Sequence, residues 1–207
     1  DGPGARVEIT AVMPAFNCRA FLERTLPPLL EMRRHGDVQE VLVVDDGSTD
    51  GTAAAAAAMG ARVIASGGHR RGPGAARNEA ARVALGDVLW FVDSDVVAAP
   101  GGPRQIRCAL AEPGVVAVFG SYDDRPPAPN LLSQYKNLVH HHQHQVGRRE
   151  ASTFWAGCGA VRRDAFLAAG GFDVARFPKP SIEDIELGYR LRAAGGRILL
   201  WPGLQGT

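Results

Sequence analysis

A chain of 207 residues with 45% hydrophobic and 22% charged residues has the composition of a soluble globular protein with one sizeable core, and one domain is expected. A formal net charge of +1 argues against a general nucleic-acid binder. No run approaches the roughly 18 consecutive apolar residues of a membrane span, and no signal peptide is expected.

In chain order, residues 7–13 read as a first strand ended by Pro14, and Pro14-Ala-Phe-Asn17 as a loop. A helix follows with apolar positions at Phe21, Leu22, Leu26, Leu29, Leu30 and Met32, tolerating Pro27 and Pro28 with a kink. Residues 41–44 form a second buried strand that runs into Asp45-Asp46-Gly47-Ser48-Thr49-Asp50-Gly51-Thr52. Ser48 or Thr49 is placed to cap a helix over 52–59, which Gly60 closes. Residues 61–65 read as a third strand, 67–74 as a basic glycine-rich loop, and 75–85 as a helix stopped by Gly86.

The run 88–92 has the length and the β-branched and aromatic content of a strand buried on both faces. It ends abruptly in Asp93-Ser-Asp95. Strand and helix thus alternate through the first half, which predicts an α/β fold with a mostly parallel sheet flanked by helices. Right-handed crossovers then place loops 14–17, 45–52 and 93–95 along one rim.

The second half is less regular. Residues 105–110 look helical, 115–122 look like a strand, 123–130 are a proline-rich connection, and 131–146 read as a polar helix. A glycine-interrupted strand is expected over 153–161, a short helix over 163–169 closed by Gly170-Gly171, and a loop over 177–180. The last helix spans 183–194, with Ile185, Leu187, Leu191 and Ala194 on one side, and 197–201 is a final strand.

Acids at the carboxyl ends of parallel strands lie where open α/β sheets bind ligands. If the backbone stays extended past Val92, Asp93 and Asp95 face the same way and offer two hard oxygen ligands to Mg2+ or Mn2+; otherwise they cap the next helix. Asp45 and Asp46 suit the N–H groups of a nucleotide base or a ribose, or a tight Asp-Gly turn. Arg70, Arg71 and Arg77 supply the opposite charge, for a phosphate or nucleoside or as solvated arginines. Glu183-Asp184 is either a Ser181-capped first turn or a source of a carboxylate base. Trp155 fits a stacking platform and a core indole equally. His140 and His144 stand one helical turn apart without a third metal ligand of suitable spacing.

Together, Pro14-Ala-Phe-Asn17, Val43-Val-Asp-Asp-Gly-Ser-Thr-Asp-Gly-Thr52, Gly74-Ala-Ala-Arg-Asn78, Val92-Asp-Ser-Asp95, Gly170-Gly-Phe-Asp173 and Glu183-Asp-Ile-Glu-Leu-Gly188 resemble family 2 glycosyltransferases of the GT-A fold. The resemblance covers nearly the whole chain, as one catalytic domain over 1–207 with a nucleotide-binding half (1–97) and an acceptor-binding half (98–207) that carries a smaller sheet. It implies inverting transfer of a sugar from a nucleotide-sugar donor to a carbohydrate, lipid-linked or small-molecule hydroxyl acceptor, dependent on Mn2+ or Mg2+. UDP-sugars are favoured on family frequency alone.

Residue by residue, the resemblance puts Pro14, Ala15, Asn17, Asp45, Asp46, Arg77, Asp93 and Ser94 on the donor nucleotide. It puts Asp95, with Asp93, on the metal, and Asp184, beside Glu183, as the general base. Trp155, Gly157, Gly171 and Asp173 resemble the acceptor-side wall. Many members add a histidine metal ligand after the last strand; the chain shows none before Thr207.

Two alternatives compete: a nucleotide-sugar pyrophosphorylase, which should carry a glycine-rich basic loop after the first strand, and a non-catalytic nucleotide- or sugar-binding module. Cys18, Cys108 and Cys158 are few, odd in number and widely spaced, so a cytoplasmic location or the cytoplasmic face of a membrane is expected. The first residue is not Met and the last follows a strand-like run. The expectation is a piece of a longer protein whose other segments allow membrane association.

Overall fold

The computed structural model describes residues 6–122, 150–178 and 181–206. The elements are β1 (Ile9–Ala15), α1 (Arg19–Arg34), β2 (Glu40–Asp45), α2 (Thr52–Met59), β3 (Arg62–Ala65), α3 (Pro73–Val83) and β4 (Val88–Val92). They continue with α4 (Gly102–Leu110), β5 (Val115–Tyr122), β6 (Glu150–Ala151), β7 (Cys158–Arg162), α5 (Arg163–Ala168), α6 (Glu183–Ala193) and β8 (Arg197–Gly206). The expected connection over 123–130, the helix over 131–146 with His140 and His144, and residues 179–180 lie outside the described residues.

One sheet runs in the order β3-β2-β1-β4-β7-β5-β8-β6. Strands β3, β2, β1 and β4 are parallel, β7 is antiparallel to both β4 and β5, and β8 is parallel to β5. The acceptor-side strands therefore extend the main sheet and do not form the expected smaller one. All five residues of β4 pair with β7, which covers an edge that would otherwise be left open.

Side chains alternate across the sheet and feed two cores. Ile9, Ala11, Met13, Val41, Val43, Val88 and Trp90 join Leu22, Leu26, Leu29 and Met32 of α1, Ala56 of α2 and Ile106 of α4. Val12, Leu42, Val44, Leu89 and Phe91 join Ala76 and Ala80 of α3, Phe166 of α5, and Leu187 and Leu191 of α6. The period of 2 in the strands thus assigns three helices to each face. No helix among the described residues is long and apolar enough to cross a membrane.

Local differences from the sequence reading have physical reasons. Pro14 lies inside β1 and does not end it: the β1–β4 ladder stops at Val12 and Phe91, so beyond Val12 no β4 partner needs its missing N–H. Helix α2 is opened by Asp50 instead of Ser48 or Thr49, its Oδ1 accepting from Thr52 N at 2.9 Å and Thr52 Oγ1 at 2.5 Å. The strand expected over 153–161 begins only at Cys158. Phe154 turns inward against Phe91 and Phe119, and the chain folds so closely that a Cβ on Gly159 would sit 2.3 Å from the Trp155 carbonyl. Ala194 is exposed, because α6 buries only Leu187 and Leu191 of the expected row.

Candidate active site

The loops after β1, β2, β3 and β4 open onto one cleft of about 1080 Å3. Pro14, Ala15, Phe16, Asn17, Asp46, Arg70, Arg77, Asp93, Ser94 and Asp95 share its walls. Eight of the residues expected on the donor or metal are thereby brought together; Asp45 is not on the wall.

The first two loops brace each other. Asn17, at φ +47°, donates its backbone N–H to Ser48 Oγ at 2.9 Å and accepts from Thr49 N at 2.8 Å through Oδ1. Asp45 folds back to accept from Gly47 N and Ser48 N, both at 3.2 Å, a closed Asx turn. Asp46 is 5% exposed, and its carboxylate accepts from Ser66 Oγ (2.6 Å), Arg71 N (2.9 Å) and Gly72 N (2.8 Å). It thereby anchors the loop between β3 and α3. Arg71 is turned away from the cleft, donating to Ser66 O at 2.6 Å and pairing with Glu79.

Arg77 rises from α3 beneath the cleft. Its Nη2 meets Asp93 Oδ1 at 2.5 Å, and its guanidinium lies 5.8 Å from the Phe91 ring centre and 5.6 Å from that of Phe172. Its Nε is buried with no acceptor among the described residues. Past Val92 the backbone does not stay extended: Val96 N donates to Asp93 O at 3.0 Å, closing a turn. Alternation therefore does not align the two acids. Asp93 is held by Arg77, and Asp95 stands exposed at the rim. Burial raises the pKa of the Cys18 thiol, and Ser94 opposes the shift.

The two carboxylates suit a hard divalent cation by donor chemistry, since one Asp93 oxygen is free of Arg77 and Asp95 makes no hydrogen bond or ion pair among the described residues. Among the described residues no cluster of three His, Cys, Asp or Glu side chains forms. Two carboxylates leave most positions of such an ion to other oxygen ligands and water.

The other side of the site is built from 153–157 and the start of α6. Asp93 N donates to Gly157 O at 3.2 Å, and the Trp155 indole covers Gly157 so closely that a Cβ there would lie 2.5 Å from its Cζ2. Asp184 is half-buried, accepting from Ile185 N at 2.8 Å and Ala156 N at 3.5 Å. Burial pushes its carboxyl above the ordinary value. The Glu183 charge adds to this, and the hydrogen bonds and Arg77 oppose it. Asp184 is not part of the cleft wall; the Ala156–Gly157 segment links it to Asp93.

Glu183, 8% exposed, accepts from Ser181 N at 2.6 Å and so closes its own turn, the reverse of the expected Ser181 cap. Gly171, at φ +69°, and Asp173, which accepts from Arg176 N at 3.0 Å, shape the turn after α5. Sequence reasoning gave no role to Asn78, whose side-chain amide bonds both Phe172 N and Phe172 O at 2.8 Å and clips that turn to α3. Its place beside Arg77 in the Ala-Arg-Asn run was the available signal.

Residues 10–168 match the sequence profile of Glycosyl transferase family 2. The chain is 31% identical over 231 residues to a validoxylamine A glucosyltransferase of Streptomyces hygroscopicus subsp. limoneus, covering 93% of this chain and 50% of the relative. It is 29% identical to the pre-mycofactocin glycosyltransferase of Mycobacterium tuberculosis, covering 97% and 42%. The chain thus spans about half the length of these curated relatives.

Among solved structures, the mannosyltransferase PcManGT from Pyrobaculum calidifontis, in complex with GDP-Man and Mn2+, superposes with a TM-score of 0.73 at 25% identity, covering 99% of this chain and 57% of that one. Glucosyl-3-phosphoglycerate synthase from Mycobacterium tuberculosis, with Mn2+ and UDP-Glc, gives 0.57 at 25% identity over 78% of this chain and 58% of that one. With its profile match over most of its length, its mixed sheet and these neighbours, the chain belongs to Glycosyl transferase family 2 and has the GT-A fold.

Proposed function

We propose that this domain transfers a sugar, with inversion, from a nucleotide-sugar donor to a hydroxyl acceptor, with residues 1–97 holding the donor and 98–207 the acceptor. The observation that carries the reading is the single cleft in which the Arg77–Asp93 pair, Asp95 and the first two strand-end loops converge. The nucleotide-sugar and Mn2+ complexes of the similar mannosyltransferase and synthase support it. Three free cysteines, two of them buried, favour a reducing, cytoplasmic setting.

In this reading Pro14, Ala15 and Asn17 border the nucleoside, and Asp45 and Asp46 shape its loop. Asp95 and the free oxygen of Asp93 hold Mn2+ or Mg2+, which when bound neutralises charge on the departing diphosphate. Arg77 orients Asp93. Asp184 takes the proton of the acceptor hydroxyl as that oxygen attacks the anomeric carbon opposite the diphosphate. One carbon–oxygen bond forms as the other breaks, and the configuration inverts. A buried carboxylate with a raised pKa is a stronger base than an exposed one. Trp155, Gly157, Gly171 and Asp173 form the acceptor wall.

The test is thermal melting of the chain with nucleoside diphosphates and Mn2+, followed by release of nucleoside diphosphate from matching sugar donors. A ligand that binds only the folded state raises the melting temperature. Binding that is lost in Asp95→Ala, with turnover lost but binding kept in Asp184→Asn, is the expected pattern. No shift with any nucleoside diphosphate, with or without Mn2+, overturns the reading.

A further inference from the structure

Arg70 is a cation in the cleft to which the donor-site reading assigns no role. It follows β3, is exposed, and lines the cleft beside Phe16, on the β2–β3 side away from β4 and Asp95. Its backbone is left-handed at φ +52°, and its N–H donates to the Asp46 carbonyl at 2.9 Å. A non-glycine residue stays in that region when its surroundings fix it there. The guanidinium carbon sits 5.0 Å from the centre of the Phe16 ring, whose other neighbour is His69 at 6.0 Å. Among the described residues no oxygen accepts from this guanidinium, whereas Arg71 next to it is engaged by Ser66 and Glu79.

Asp46 makes the complementary point. Its carboxylate already accepts three hydrogen bonds from its own chain, so it offers little to the N–H of a base. This wall therefore presents a fork of donors beside an acceptor that is three-quarters engaged and 5% exposed. Guanine sets two acceptors, O6 and N7, side by side at the spacing of an arginine fork on an edge remote from the ribose, whereas the adjacent acceptors of cytosine, N3 and O2, place O2 against the glycosidic bond. Uracil has O4 next to a C–H, and adenine has an amino donor next to N7.

We propose that Arg70 makes the site selective for guanine nucleotides, its fork bonding O6 and N7 while Phe16 backs the guanidinium. The inference rests on the donor-site reading above, and it replaces the uridine preference drawn from family frequency.

Calorimetry of the chain with Mn2+ and GDP, UDP, inosine diphosphate and 7-deazaguanosine diphosphate tests it. GDP is expected to bind about tenfold or more tighter than UDP. Inosine diphosphate, which keeps O6 and N7, should follow GDP, and the 7-deaza analogue should fall toward UDP. Arg70→Lys, which keeps the charge but not the fork, and Arg70→Ala should both erase the preference. UDP binding as tightly as GDP, an unweakened 7-deaza analogue, or a preference that survives in Arg70→Lys overturns the role of Arg70 and leaves the donor site standing. Absence of binding by every nucleoside diphosphate overturns both.

Discussion

Nη2 of Arg77 stands 2.5 Å from Oδ1 of Asp93, tying the buried face of α3 to the carboxyl end of β4. The arginine side chain is 5% exposed and the aspartate 39%, so the pair is shielded from one side only. Its position makes it both a structural bond and the support of an acid on the cleft wall.

Asp93→Asn leaves the guanidinium buried against Phe91 and Phe172 without its counter-charge. Because the lost partner is partly solvated, the expected cost is about 1–2 kcal/mol, below that of a fully buried pair. Arg77→Met with Asp93→Asn should recover part of this, since no charge then stays stranded, while Mn2+-dependent nucleotide binding remains lost in both variants. Urea unfolding and calorimetry read the two effects separately. A wild-type urea midpoint in Asp93→Asn would show that the contact does not stabilise the fold.

Asp184 predicts opposite signs for stability and activity. Its folded-state pKa is raised by burial, so between the ordinary aspartate value and the raised one the folded state binds more protons than the unfolded state. Its contribution to stability is present below that window and is lost as pH rises through it. Asp184→Asn should therefore melt higher than wild type at pH 7 and equally near pH 3, while transfer falls about 100-fold or more. The acid limb of the wild-type rate should lie above the range of an exposed aspartate. A variant less stable than wild type at pH 7 would contradict the burial argument.

The run Val88–Val92 and its two acids were legible in the sequence because a fully buried strand is apolar at every position. The rim of loops was legible because strand and helix alternate through β4. What was not legible depends on partners distant in sequence. Val88 pairs with Arg162, and no local pattern announces that β7 will extend the sheet there. Pro14 sits inside β1 only because the β4 ladder stops short of it. The engagement of the Asp46 carboxylate depends on Ser66 and Gly72, 20 and 26 residues away, so composition alone left it open to a ligand.

Asp46→Asn tests whether that carboxylate is a strut. One oxygen can still accept from Ser66 and Arg71, but the new amide meets the Gly72 N–H donor with a donor. The expected loss is about 1–3 kcal/mol of stability. Because Arg70 is hung from the Asp46 carbonyl on the same loop, any GDP preference should weaken with it. Chemical unfolding and GDP and UDP titrations check the two. An unchanged unfolding midpoint would mean the loop holds without the carboxylate.

Glycine at 188 sets how closely α6 approaches the segment that carries Trp155. A Cβ there would meet Phe154 N at 2.5 Å and Thr153 backbone atoms at 2.8 Å, distances that only a backbone shift can relieve. Gly188→Ala gains helix propensity of about 1 kcal/mol, yet overpacking of this kind costs about 1–3 kcal/mol, so net destabilisation is expected. The shift opens the same interface at which Asp184 Oδ2 and Ala156 N are already 3.5 Å apart. The rate of transfer should therefore fall with little change in nucleotide affinity, because the cleft on the β1–β4 rim does not include α6. Steady-state kinetics beside GDP or UDP titrations separate the two. Nucleotide affinity lost in proportion to the rate would point to a collapse of the whole site instead of a displaced base.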